Sequence, residues 1–149
     1  IAPHEATALY GLSYGSPGHA MTLAQEGGLK WYEGWLKAMQ PDASPDTRQR
    51  FADAVAAVKS PSGWDAIIHC WNVAMQRLTL FPHYDAASPI LRKEGELLAA
   101  LAARLSPPER TRWMEEGARL IHQTETFNLD KRQTIRLLTD LRQLDIVAA

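Results

Sequence analysis

A single cysteine, Cys70, stands among the 149 residues, so no internal disulfide can staple this fold. No apolar run approaches the roughly 18 residues that a membrane-spanning helix needs, and the opening residues do not read as a charged-then-apolar leader. Charge of either sign is scarce in net terms: the formal balance is -1 at pH 7, which gives no global field to gather nucleic acid or anionic lipid. Alternating strand patterns are almost missing. So are the phosphate-cradling G-x-x-x-x-G-K-[ST], the dinucleotide G-x-G-x-x-G, the G-x-S-x-G elbow, H-E-x-x-H and any Glu-x-x-His pair. No nucleotide or metal site is complete within these residues, and the expected setting is soluble, reducing and cytoplasmic. The chain opens on Ile1 in "IAPHEATALYGL", which reads as the middle of a domain and suggests a piece of something longer.

What is present is helix, with 46% hydrophobic and 22% charged residues to build a core and a solvated face. Ser16-Pro17 is a cap and first-turn pair whose helix should stop at Gly27-Gly28. "LKWYEGWLKAM" then carries Leu29, Tyr32, Leu36 and Met39 at helical spacing before Pro41, with Trp31 and Trp35 beside them. Ser44-Pro45 opens a helix with Phe51, Val55 and Val58 inward. The clearest amphipathic segment sets Trp64, Ile67, Ile68, Trp71, Met75 and Leu78 on one stripe, with Asp65, Asn72 and Gln76 on another face. Ser88-Pro89 is expected to open the next helix, using Leu91, Leu98, Leu101 and Leu105, and Ser106 with Glu109 matches a capping box. The helix after it carries Trp113, Leu120 and Ile121. Asn128 is expected to cap a last helix with Ile135, Leu138, Leu141 and Leu144 inward. The expectation is an all-α fold of about seven helices.

Chemistry-bearing side chains read as structural. Asp65 with His69, and His122 with Glu125, offer two ligands each, whereas a structural metal needs about four; surface pairs are expected, with no metal or cofactor. Cys70 beside the apolar stripe reads as a buried, inert thiol, and Trp64 and Trp71, seven apart, as core. Lys131, Arg132, Arg136 and Arg142 are interleaved with Asp130, Asp140 and Asp145, which favours a solvated face or a subunit contact over nucleic acid.

The stretch "YGLSYGSPGHAM" breaks this helical pattern early. Gly15 is placed to leave one helix with positive φ, Ser16 to cap the next and Pro17 to preset its first turn, while Gly18 and Ala20 leave room for another backbone. "GLSYGSPGHAMTLAQEGGL" resembles the G-S-P-G-R-A-L corner in the lid of clamp-loader AAA+ subunits, specifically the delta-prime family of bacterial DNA polymerase III. "FNLDKRQTIRLLTDL" is similar to the close of the same family's C-terminal domain. The resemblance implies that residues 1–27 are the C-terminal part of an AAA+ lid, with Gly15, Ser16, Pro17, Gly18, His19 and Ala20 as its corner. Residues 28–149 would be a helical collar domain. It implies a non-catalytic assembly module without a cofactor, its partners the gamma/tau and delta subunits, and Asn128, Lys131, Arg132 and Arg136 as subunit-contact candidates; contact with DNA is left open. His19 stands where the family's corner has arginine, and it lacks arginine's permanent charge and forked donors, which puts nucleotide sensing here in doubt. The alternative is a freestanding helical-bundle enzyme or ligand-binding protein using His69, His122 and the tryptophans.

Overall fold

The structure, a computed structural model, describes residues 3–84 and 89–140. These form eight helices and no strand: α1 (Pro3–Leu12), α2 (Pro17–Gln25), α3 (Gly28–Ala38), α4 (Pro45–Ala56), α5 (Pro61–Leu80), α6 (Glu94–Ala102), α7 (Pro107–Phe127) and α8 (Lys131–Thr139). Four helices start in the same way. Ser16, Ser44, Ser60 and Ser106 are extended cap residues followed by proline, and each hydroxyl accepts the backbone N–H three residues on. Serine satisfies a donor that the first turn would leave orphaned, and proline lacks the N–H that the turn does not need. At Ser106 the capping box closes, with the Glu109 carboxylate accepting the Ser106 N–H at 2.9 Å.

The 20-residue α5 is the axis of the core, with Ile67, Trp71, Met75 and Leu78 fully buried and Trp64 nearly so. On one side lies α3, whose Trp35 Nε1 donates to the Ile67 carbonyl at 2.8 Å, fixing how the two helices register. On another lies α7, which approaches so closely that a Cβ on Gly117 would sit 2.4 Å from Trp71 Cζ2. Glycine is required there because the indole occupies the space. The short helices α1 and α2 pack on α3, and their Leu9, Leu12 and Leu23 join the same core as the residues beyond Gly28. Gly27, at φ 72, separates α2 from α3 as the sequence implies.

Two expectations are corrected. The helix expected from Ser88-Pro89 begins only at Glu94, because Pro89 to Lys93 form a turn around the Glu94 carboxylate; Ser88 itself lies outside the described residues. Glu94 is fully buried, and its Oε2 accepts the N–H groups of Ile90 at 2.7 Å and Leu91 at 3.2 Å, while Oε1 pairs with Arg77 of α5 at 2.5 Å. Asn128 does not cap the last helix. It ends α7 in the left-handed conformation, φ 50 and ψ 47, which asparagine tolerates better than most residues, and Asp130 caps α8 by accepting the Arg132 N–H at 3.0 Å. Leu141, Leu144, Arg142 and Asp145 lie outside the described residues. Ile135 and Leu138 are buried as expected.

Candidate functional site

Two surfaces carry the residues singled out by the sequence. The first is the corner between α1 and α2. Tyr14 at φ 56 and Gly15 at φ 82 reverse the chain, and the Gly15 N–H returns to the Tyr10 carbonyl at 2.9 Å. Leu12 leaves a carbonyl at the end of α1, and His69 Nε2 of α5 meets it at 2.7 Å. That bond assigns the hydrogen of the neutral imidazole to Nε2. His69 is enclosed further by His19, 4.4 Å between ring centroids, and by Tyr14 at 5.4 Å, both edge-on. Burial holds the His69 pKa below its ordinary value; the Leu12 carbonyl opposes this and the neighbouring His19 adds to it. Ser16 caps α2 through the His19 N–H at 3.3 Å, and Ala20 packs partly into the core. Gly18 is different, since a Cβ placed there would meet nothing within 4 Å, so the space at this glycine is open in the described chain.

The second surface surrounds the α7–α8 turn. Phe127 and Leu129 flank Asn128 and are 69% and 46% exposed, an apolar pair without cover from the described chain. Two of the expected contact charges also make contacts within the described chain. Lys131 Nζ lies 4.8 Å from the Trp64 ring centroid, and Trp64 Nε1 donates to Glu125 Oε2 at 3.1 Å. Arg132 Nε pairs with Asp53 of α4 at 2.8 Å. These contacts fasten α8 to α5 and α4. Arg136 remains on the exposed side and lines a cleft of about 230 Å³ between α4 and α8 with Pro45, Arg48, Gln49, Gln133, Leu137 and Asp140.

The paired ligands of the sequence are not gathered into a centre. His69 turns to Leu12, Glu125 turns to Trp64, and His122 Nε2 meets Thr126 Oγ1 at 3.5 Å. Among the described residues no group of three or more His, Cys, Asp or Glu is placed to hold a metal ion. Cys70 is buried and its thiol, pushed up to about 12 by burial against a smaller opposing backbone contact, donates to the Gly28 carbonyl at 3.3 Å. A thiol so poorly ionised is a weak nucleophile. No helix among the described residues is long and apolar enough to cross a membrane.

Sequence reasoning missed the Glu94–Arg77 pair and Arg48. Glu94 had a signal, a carboxylate three and four residues after the N–H groups it accepts, the spacing of a cap. Arg48 had none, because its place in the cleft depends on α8 returning to α4. No protein-family model, curated protein or solved structure matches the chain.

Proposed function

We propose that this chain is the C-terminal region of a clamp-loader subunit of the delta-prime type, comprising the end of an AAA+ lid and a helical collar, and that it works as a non-catalytic assembly module. In this reading it packs against gamma/tau and delta subunits to hold the ring that loads sliding clamps during DNA replication. The observation that carries the reading is the corner. Gly15 at positive φ, Ser16 as cap and Pro17 in the first turn make a sharp helix-to-helix junction on the residues that match the family's motif. Gly18 beside it keeps open space of the kind a neighbouring backbone needs. At the other end of the chain, the match to the family's closing segment falls on the α7–α8 turn and its exposed Phe127 and Leu129.

Assembly by helix faces needs about 800 Å² per partner with an apolar centre and a polar rim. The test is size-exclusion chromatography with light scattering on this chain mixed with gamma/tau and delta subunits. The expected result is co-elution at the mass of a heteromeric complex. Elution of the chain at its own mass alone, beside a full-length subunit that does assemble, overturns the proposal.

A further inference from the structure

The cleft between α4 and α8 brings two arginines from different helices to one concave surface. Arg48 reaches it from the first turns of α4 and Arg136 from α8, with the amides of Gln49 and Gln133 beside them and Leu137 as an apolar wall. Arg48 is only partly used. Its Nη2 donates to the Gln40 carbonyl at 3.3 Å, while its Nε is buried with no hydrogen-bond partner in the described chain. A buried guanidinium N–H without an acceptor is uncommon in folded proteins and leaves this arginine under-satisfied within the described chain. Gln49 is anchored through Nε2 to Asp53 Oδ1 at 2.8 Å, so its side chain is held in place at the rim. An acid, Asp140, lines the cleft as well and is itself partnered.

We propose that this cleft receives one carboxylate, an Asp or Glu side chain of a neighbouring subunit, with Arg48 and Arg136 as its two donors. The inference rests on the assembly reading above and names the chemistry of one contact within it. A guanidinium presents forked, permanently charged donors that match a carboxylate's two oxygens, and the volume of about 230 Å³ holds such a side chain together with several waters at about 30 Å³ each. Leu137 offers the methylene stem of that side chain an apolar surface. Because Arg136 is exposed before binding and desolvated after it, the contact acts on the dissociation rate as well as on encounter.

The experiment measures binding of this chain to gamma/tau and delta subunits at low and high salt, for the unaltered chain and for Arg136→Glu, Arg136→Lys and Arg119→Glu. Arg119 lies on α7, paired with Glu116, away from the cleft. Weakening of at least about 10-fold for Arg136→Glu, less for Arg136→Lys and none for Arg119→Glu is expected, with the difference shrinking at high salt. An unaltered chain that assembles and an Arg136→Glu chain that binds equally well would overturn the carboxylate contact and leave the assembly reading standing. An unaltered chain that does not bind overturns both. Should Arg136→Glu fail to fold, Gln133→Glu, at an exposed position in the same cleft, decides: weakened binding supports the contact and unchanged binding overturns it.

Discussion

Replacing Glu94 by glutamine should be among the most damaging single-atom-scale changes in this protein. The side chain is fully buried, and its two oxygens serve three donors: the Arg77 guanidinium and the N–H groups of Ile90 and Leu91. Glutamine keeps the shape and one carbonyl oxygen, so the two backbone donors retain an acceptor. What is lost is the negative charge facing Arg77, whose side chain is only 14% exposed and which also lies over the Tyr84 ring at 5.3 Å. Removing one partner of a buried ion pair leaves the other charge desolvated and costs about 3–5 kcal/mol. Arg77 keeps some access to water, which places Glu94→Gln near the lower figure, about 3 kcal/mol. With a urea dependence of about 2 kcal/mol per molar, the unfolding midpoint falls by about 1.5 M. Removing both charges, as Arg77→Met with Glu94→Leu, leaves no unpaired ion but surrenders the cap on Ile90 and Leu91, so the double variant should lose less than the sum of its two single variants. Equilibrium urea unfolding followed by tryptophan fluorescence measures all five proteins: the unaltered chain, Glu94→Gln, and the two single variants and double variant of the cycle. A loss below about 1 kcal/mol for Glu94→Gln, or strict additivity in the cycle, would refute the reasoning.

Gly117→Ala should destabilise by about 1–3 kcal/mol, because the new methyl would lie 2.4 Å from Trp71 Cζ2 and an indole locked in the core cannot step aside. A thermal melt should show a fall of several degrees, and an unchanged midpoint would mean that α7 and α5 are not packed this closely. The native environment of His69 favours the neutral ring, so its folded pKa lies below the unfolded value of about 6.5. Its stabilising effect is therefore complete above that value and is lost as the pH falls through it toward the native pKa. Unfolding midpoints measured from pH 7.5 to 5 should decline less steeply for His69→Gln than for the unaltered chain, and parallel profiles would count against the burial of this ring.

Most of the fold was legible because its signals are local. A Ser-Pro pair satisfies and silences the same turn wherever it occurs, and the stripe from Trp64 to Leu78 needs only its own spacing to declare an inward face. The failures share a cause as well. Pro89 looked like a helix start, but the turn there is organised by Glu94 reaching back and by Arg77 from a different helix. Asn128 is a favourable residue both before a helix and after one, and the neighbouring Asp130 took the role expected of it. The contacts that Lys131 and Arg132, named as subunit-contact candidates by the resemblance, make within the chain were not local either. Their partners, Trp64 and Asp53, sit 67 and 79 positions earlier in the chain, and no local pattern announces such pairings.

The two ends of the described chain are tied to one rod. His69 holds the Leu12 carbonyl of the opening corner, and Trp64 carries Lys131 of the closing helix. These two anchor points are five residues apart on α5, about 7.5 Å of helical rise. A push on the corner is therefore delivered to the closing turn through one and a half turns of buried helix, with no loop in between to absorb it. In the assembly proposed above, this would make the molecule a strut: the corner and the α7–α8 turn keep a fixed distance and angle, and motion has to be taken up by whatever they touch.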